Sequence, residues 1–267
     1  MRIVLGIKWV PNTQAVRFDP KTGTLIREGV PSIVNPHDLD ATEFALKLKD
    51  KFGGRITAIT MAPPAAIMGL QHVIGMGVDD GILASDRAFA GADTLATSYV
   101  LAKVIERIGD VDLVVFGQET IDSSTAHIGA QVASWLKLPY VYYVEELVDY
   151  DESKKEIVFR RKLEDREEVY KVKLPAVISV AMHSQKPRPV RMSYKIRAKL
   201  ENPIQVWTNK DMGLDPRCIG LKGSPTIVAG ITWTPEVPRK KQVFKGDPKE
   251  AVKWLIEKLK EEGVLPF

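Results

Sequence analysis

The sequence predicts an α/β fold built on an open, doubly wound parallel sheet, with an antiparallel extension and a C-terminal arm. Three observations carry this. Short apolar runs at residues 2–7, 55–61, 81–84, 111–116 and 140–144 have the length and composition of strands buried on both faces. Stretches with apolar residues at helical spacing separate them, so consecutive strands are joined by helical crossovers. Small or polar residues follow the carboxyl ends of several runs, where such sheets carry their binding loops.

A chain of 267 residues holds one large α/β domain, or one domain with an appendage, and 45% apolar residues support a full core. Basic and acidic residues number 38 and 34, a net charge of +4, too balanced to argue for nucleic acid. The Lys/Arg-rich segment at 186–199 fits a solvated basic arm. Cys218 is the single cysteine, which excludes a disulfide framework and a thiolate metal site. The 4 histidines show no metal-ligand spacing. The N-terminus has the pattern of a first strand rather than a secretory leader, and no apolar run reaches the ~20 residues of a membrane span. A cytoplasmic protein without direct membrane insertion is expected.

The first strand, 2–7, ends at Gly6, where another backbone or a ligand can approach closely. A polar connection follows, with a small hairpin expected around 19–23. The next helix is expected to be capped by Asp38 or Asp40, with Asp40 and Glu43 as a capping box, to bury Ala41, Phe44, Ala45 and Leu48, and to stop at Gly53. Asn35-Pro36 fits a turn, and also a buried amide beside a ligand. The second strand, 55–61, leads through Met61, Ala62 and two prolines into a helix carrying Ile67, Leu70, Val73 and Ile74.

A short third strand at 81–84 precedes Asp93 and Thr94, either of which can cap a helix with Leu95, Ala102, Ile105 and Ile108 on one face. Thr94 and Thr97 lie in its first turn beside Ala96, and threonine is a mediocre helix former. Hydroxyls at that end suit a phosphate. The fourth strand, 111–116, breaks at Gly117 into the loop Gln118, Glu119, Thr120, Ile121, Asp122, Ser123, Ser124, Thr125. Ser124 or Thr125 can cap a helix with Ile128, Val132, Trp135 and Leu136 inward. The same pattern also fits an ordinary capped βα loop.

With strand order 3-2-1-4-5 the connections reverse between strands one and four, and the crevice there is the expected ligand site. Neither a G-x-G-x-x-G after strand one nor a G-x-x-x-x-G-K-[ST] occurs, which argues against an ordinary NAD-binding motif and a P-loop. Beyond residue 144 the chain alternates apolar and polar residues, as in a meander through 173, and 176–181 returns to the sheet. The domain boundary is expected at 181/182. Residues 182–267 then form an irregular arm, with strand-like pieces near Trp207 and Trp233, and a capped helix from Asp247 carrying Val252, Leu255, Ile256 and Leu259.

Taken together, Lys8-Trp9-Val10-Pro11, Asn35-Pro36-His37-Asp38, Asp93-Thr94-Leu95-Ala96-Thr97-Ser98, Gly117 to Asp122 with Thr125 and Gly129, and Pro187 to Met192 resemble the electron transfer flavoprotein beta subunit. The resemblance covers nearly the whole chain. It implies a Rossmann-like, adenine-nucleotide-binding sheet and a heterodimer with an alpha subunit that carries a second FAD. The site it implies comprises Gly6, Lys8, Asn35, Pro36, Asp38, Met61, Ala62, Thr94, Ala96, Thr97, Gly117, Gln118, Thr120, Ile121, Asp122, Ser123, Ser124, Thr125 and Gly129. One branch of the family holds AMP there. The other, electron-bifurcating and FixA-like, holds FAD with NADH as a possible electron donor, and the Asp93 to Ser98 helix start resembles that branch. His37 stands where an aromatic residue is usual, and Ala130 where proline is. The resemblance also makes Pro189, Met192, Tyr194 and Ile196 a docking loop for a dehydrogenase or quinone oxidoreductase, FixC/FixX-like partners among them. It implies no acid–base catalytic residue. A universal-stress-type regulator and an adenine-hydrolase-type ligase are the alternatives, disfavoured by the arm and by the missing pyrophosphate loop.

Overall fold

A computed structural model describes residues 1–12, 17–18, 25–26, 31–226 and 241–265. In chain order the elements are β1 (Arg2–Gly6), β2 (Trp9–Pro11), β3 (Arg17–Phe18), β4 (Leu25–Ile26), β5 (Ser32–Val34), α1 (Pro36–Phe52), β6 (Arg55–Met61), α2 (Ile67–Met76), β7 (Asp80–Ala84) and α3 (Thr94–Ile108). There follow β8 (Leu113–Gly117), α4 (Ile128–Leu136), β9 (Tyr140–Asp151), β10 (Glu156–Lys162), β11 (Glu167–Lys173), β12 (Ala176–Val180), α5 (Met192–Leu200), β13 (Ile204–Trp207), α6 (Asn209–Met212) and α7 (Pro248–Glu261).

The main sheet has 9 strands in the order β11-β10-β9-β12-β8-β1-β6-β7-β13. From β9 to β13 every pairing is parallel, and β9, β10 and β11 form the antiparallel extension. Successive residues of a strand face opposite sides. Ile3, Leu5, Leu113 and Val115 accordingly join Phe44 and Leu70 of α1 and α2 in one core layer. Val4, Val114 and Phe116 join Val100 of α3 and Val132 of α4 in the other. Helices on both faces of a parallel sheet are the doubly wound arrangement expected.

The run 3-2-1-4 stands, but the strand at 140 lies one place further out than order 3-2-1-4-5 requires, because β12 takes the place beside β8. Every residue of β12 is buried, whereas β9 has one partly wet face. The more apolar strand takes the interior position. β9 is also one long strand, where a break near 144 was expected.

The boundary expected at 181/182 does not coincide with one in the fold. The first compact unit runs from Met1 to Ile227 and the second from Val228 to Phe267. Residues 204–207 extend the sheet beside β7, and residues 192–200 form a helix where an irregular arm was expected. The second unit contains α7, capped by Asp247 as expected, with Val252, Leu255 and Ile256 exposed. β3 and β4 pair antiparallel, while the turn expected at 19–23 and the strand expected around Trp233 lie outside the described residues. Among the described residues no helix is long and apolar enough to cross a membrane.

Helix starts differ from expectation in an instructive way. α1 begins at Pro36, and Asp40 and Glu43 are buried without forming a capping box. Both carboxylates instead accept hydrogen bonds from residues 183–188. α4 begins at Ile128 with His127 as N-cap and no side-chain cap, so neither Ser124 nor Thr125 caps it. Leu95 and Trp135, expected inward, are exposed.

Candidate functional site

At the carboxyl ends of β1, β6 and β8 lies a cavity of 640 Å³, within the roughly 300–1,000 Å³ typical of small-molecule sites. It opens at the reversal of connections between β1 and β8, as the strand order requires. Of the residues singled out from sequence, Gly6, Lys8, Asp38, Met61, Thr94, Thr97, Gly117, Gln118, Thr120, Ser123, Thr125 and Gly129 line it. Asn35, Pro36, Ala62, Ala96, Ile121, Asp122 and Ser124 do not.

Several of these stand behind the wall and shape it. Asn35 is fully buried. Its Nδ2 donates to the Glu119 carbonyl at 2.7 Å, and its Oδ1 accepts the Ile121 N–H at 3.2 Å. One amide thus pins the loop after β8 to the start of α1. Pro36 occupies the first turn of that helix, where a missing N–H costs nothing. Asp122 sits 2.7 Å from Lys8 Nζ and accepts the Thr120 hydroxyl at 2.6 Å. That holds down the Lys8 ammonium, and the pair lowers the Asp122 carboxyl below the usual range against the opposing effect of burial.

The Asp38 carboxylate forms part of the floor. It accepts the Lys8 N–H at 2.7 Å and a bond from the Gly117 N–H, yet burial pushes its pKa up to about 7. Gly117 must be glycine, because a Cβ there would overlap the Asp38 carboxylate and the His37 backbone. At Gly6 a Cβ would run into the Phe116 ring. The absence of side chains at both positions lets the Phe116 ring and the Asp38 carboxylate close up against the strand ends, and all four residues line the cavity.

Two helices aim their N-termini at the cavity, and they differ. At α3 the Asp93 Oδ1 accepts the Leu95 and Ala96 N–H groups at 2.9 and 3.0 Å. Its Oδ2 accepts the Thr226 N–H and hydroxyl at 3.1 and 2.7 Å. Two of the donors expected to meet a phosphate there are therefore already taken, and the hydroxyls of Thr94 and Thr97 remain. At α4 no side chain caps the helix, so its first-turn N–H groups are left without a side-chain acceptor, and Ala126, His127, Ile128 and Gly129 at that end line the cavity. Ser124 and Ala126 hold φ of 47° and 54°, a backbone cost that non-glycine residues bear chiefly at functional loops. Between the helices, Thr94 Oγ1 lies 3.5 Å from His127 Nδ1 and 3.4 Å from Gln131 Nε2. The buried Gln131 Oε1 has no partner among the described residues.

Among the lining residues that sequence reasoning missed are Phe116, Ala126, His127 and Thr226. The first three adjoin the loop that was singled out and follow from its geometry. Thr226 comes from far along the chain, and no local pattern marks it. On the outer surface Met192, Ile196 and Leu200 are 67%, 50% and 80% exposed, one turn apart along α5. Pro189 is exposed beside them, while Tyr194 is half-buried with the Arg191 and Arg197 guanidiniums near its ring. Among the described residues no cluster of His, Cys, Asp or Glu could hold a metal ion.

Residues 22–212 match the electron transfer flavoprotein domain. The chain is similar to the electron transfer flavoprotein subunit beta of Thermoanaerobacterium thermosaccharolyticum, 41% identical over 99% of this chain and 100% of the relative. It is 42% identical to the caffeyl-CoA reductase-Etf complex subunit CarD of Acetobacterium woodii, over 99% and 100% of the two chains. With Protein FixA of Azotobacter vinelandii it shares 41% identity, covering 97% of this chain and 94% of that one.

Proposed function

The chain belongs to the electron transfer flavoprotein beta-subunit family, and from that premise we propose that its crevice holds FAD rather than AMP. Electron transfer is the role the family fixes, and the regulator and ligase alternatives fall with it. The observation that carries the FAD reading is the continuity of the cavity. It runs from Gly6, Asp38 and Gly117, past the open N-terminus of α4, to the hydroxyls of Thr94 and Thr97.

The residues present fit such a group. Gly6 and Gly117, with the Phe116 ring and the Asp38 carboxylate packed against them, line the place for an adenine between the strand ends. The uncapped first turn of α4 provides backbone donors and partial positive charge for a phosphate. Lys8 is the cation on the wall, oriented by Asp122. Thr94, Thr97 and Gln131 offer further polar contacts beyond that point. The cofactor supplies the redox chemistry, accepting hydride and releasing single electrons, so the chain needs no acid or base of its own. Its residues bind, orient and exclude water.

The partners in this reading are an alpha subunit with a second FAD and a dehydrogenase or quinone oxidoreductase met through α5. NADH is the donor if the chain works in the bifurcating manner. The name of the CarD relative supports placement in a larger reductase complex. One observation favours the AMP alternative: Asp93 occupies two donors of α3, which lowers that helix's call on a second phosphate. Denaturing extraction of the heterodimer decides between them. About two FAD per heterodimer supports the proposal. About one FAD, with AMP in the extract, overturns it.

A further inference from the structure

Residues 182–191 form neither helix nor strand, yet they link the cavity to α5. Backbone without regular partners must find others. Here side chains supply them. The Met182 N–H donates to Gln118 Oε1 at 3.1 Å. Asp40 accepts the His183 and Gln185 N–H groups at 2.9 and 3.3 Å. Glu43, only 5% exposed, accepts the Arg188 N–H and Nε at 2.9 Å each and its Nη2 at 3.0 Å. The Arg191 N–H then donates to the Gly75 carbonyl at 2.8 Å, and α5 begins at the next residue.

These anchors also belong to the cavity's frame. Gln118 lines it directly, and α1, which carries Asp40 and Glu43, begins beside Asp38 on its floor. We infer that Gln118, Asp40 and Glu43 are positioning residues that couple the filling of the cavity to the pose of the apolar stripe on α5. The inference rests on the nucleotide reading above. A nucleotide that orders the loop after β8 fixes Gln118, and through Met182 and α1 it steadies residues 182–200. Such coupling is reciprocal, so a partner docked on α5 tightens nucleotide retention.

The test is amide hydrogen exchange on the full-chain heterodimer, stripped of nucleotide and reloaded with AMP or FAD. Loading slows exchange at residues 118–127, which reports binding itself. It also slows residues 189–200 about fivefold or more. Arg188→Met keeps the first effect and loses the second. Asp40→Ala gives the same separation without stranding the buried Glu43 charge, should Arg188→Met fail to fold. Slowing at 118–127 with 189–200 unchanged overturns the coupling. So does full slowing at 189–200 in both variants. No slowing at 118–127 refutes the nucleotide reading, and the coupling with it.

Discussion

Gly117 lies so close to the Asp38 carboxylate that no side chain can stand between them. This contact joins the end of β8 to the first turn of α1 and sets the floor of the cavity. Gly117→Ala must push Asp38 or the loop aside, an overpacking cost of about 1–3 kcal/mol. A lower midpoint in urea with an unchanged slope, together with loss of bound nucleotide from the purified heterodimer, is the expected result. Wild-type stability and nucleotide content would show that the floor is not shaped by this contact.

Asp38 also gives stability a pH dependence. Burial raises its pKa from the model-peptide value of 3.8 to about 7 in the folded chain, against the N–H groups of Lys8 and Gly117. The folded state therefore holds this proton more tightly than the unfolded state. The stabilisation is full below about pH 4, declines as pH rises, and is gone above about pH 7. Asp38→Asn removes the decline. Urea midpoints measured from pH 4 to 8 for both proteins check the difference in slope.

Its neighbour His37 acts in the opposite sense. The ring is buried, and its Nδ1 has no partner among the described residues. Burial lowers its pKa, with His183 adding to that and Glu119 and Asp40 opposing. The unfolded state then binds the proton better, so the contribution is present above about pH 6.5 and is lost as pH falls through the folded value. In an Asp38→Asn background, which removes the opposing rise from Asp38, His37→Phe, which cannot charge, is expected to keep its unfolding midpoint as pH falls below about 6.5, where the protein with His37 loses some. Parallel losses in the two proteins would assign the acid sensitivity elsewhere.

The framework of this chain was legible in its sequence because strands buried on both faces are continuous apolar runs, and β1, β6, β7 and β8 are such runs. The place of β12 was not, since its rank beside β8 depends on a comparison with β9 that only packing makes. The loop after β8 was recognisable from its small polar residues. The caps of α3 and α7, Asp93 and Asp247, were legible too, but that of α1 was not, because Asp40 and Glu43 satisfy the local capping pattern and yet bond to residues far away. Local pattern shows which side chains can accept a hydrogen bond, and tertiary packing chooses the donor. Thr226 shows the same limit: it is held at the site by Asp93.

Thr94 and Thr97 carry a sharper test of the cofactor than extraction alone. Asp93 occupies the Leu95 and Ala96 N–H groups, so the two hydroxyls carry more of what α3 presents to the cavity. Each hydrogen bond to a charged group is worth roughly 1.5–3 kcal/mol. Thr94→Val with Thr97→Val should reduce flavin from about two towards about one per heterodimer, without unfolding the chain. A double variant that retains both flavins would place the binding energy on α4 and Lys8 alone.

The stripe on α5 gives the last prediction. Met192, Ile196 and Leu200 lie one turn apart, and all three are exposed, Leu200 by 80%. Three large apolar side chains on one face of a short helix are costly to leave in water unless another surface covers them. Methionine at the start of the row adapts to varied partners. Met192→Asp places a charge in that row, and loss of such an anchor costs on the order of 1–2 kcal/mol or more. Electron delivery to an acyl-CoA dehydrogenase or quinone-linked acceptor should slow about tenfold at limiting partner concentration. The rate at saturating partner and the nucleotide content should stay as in the wild type, because Met192 is not among the residues that line the cavity. A drop in the saturated rate with unchanged half-saturation would count against docking, since it would place the defect after the partner has bound.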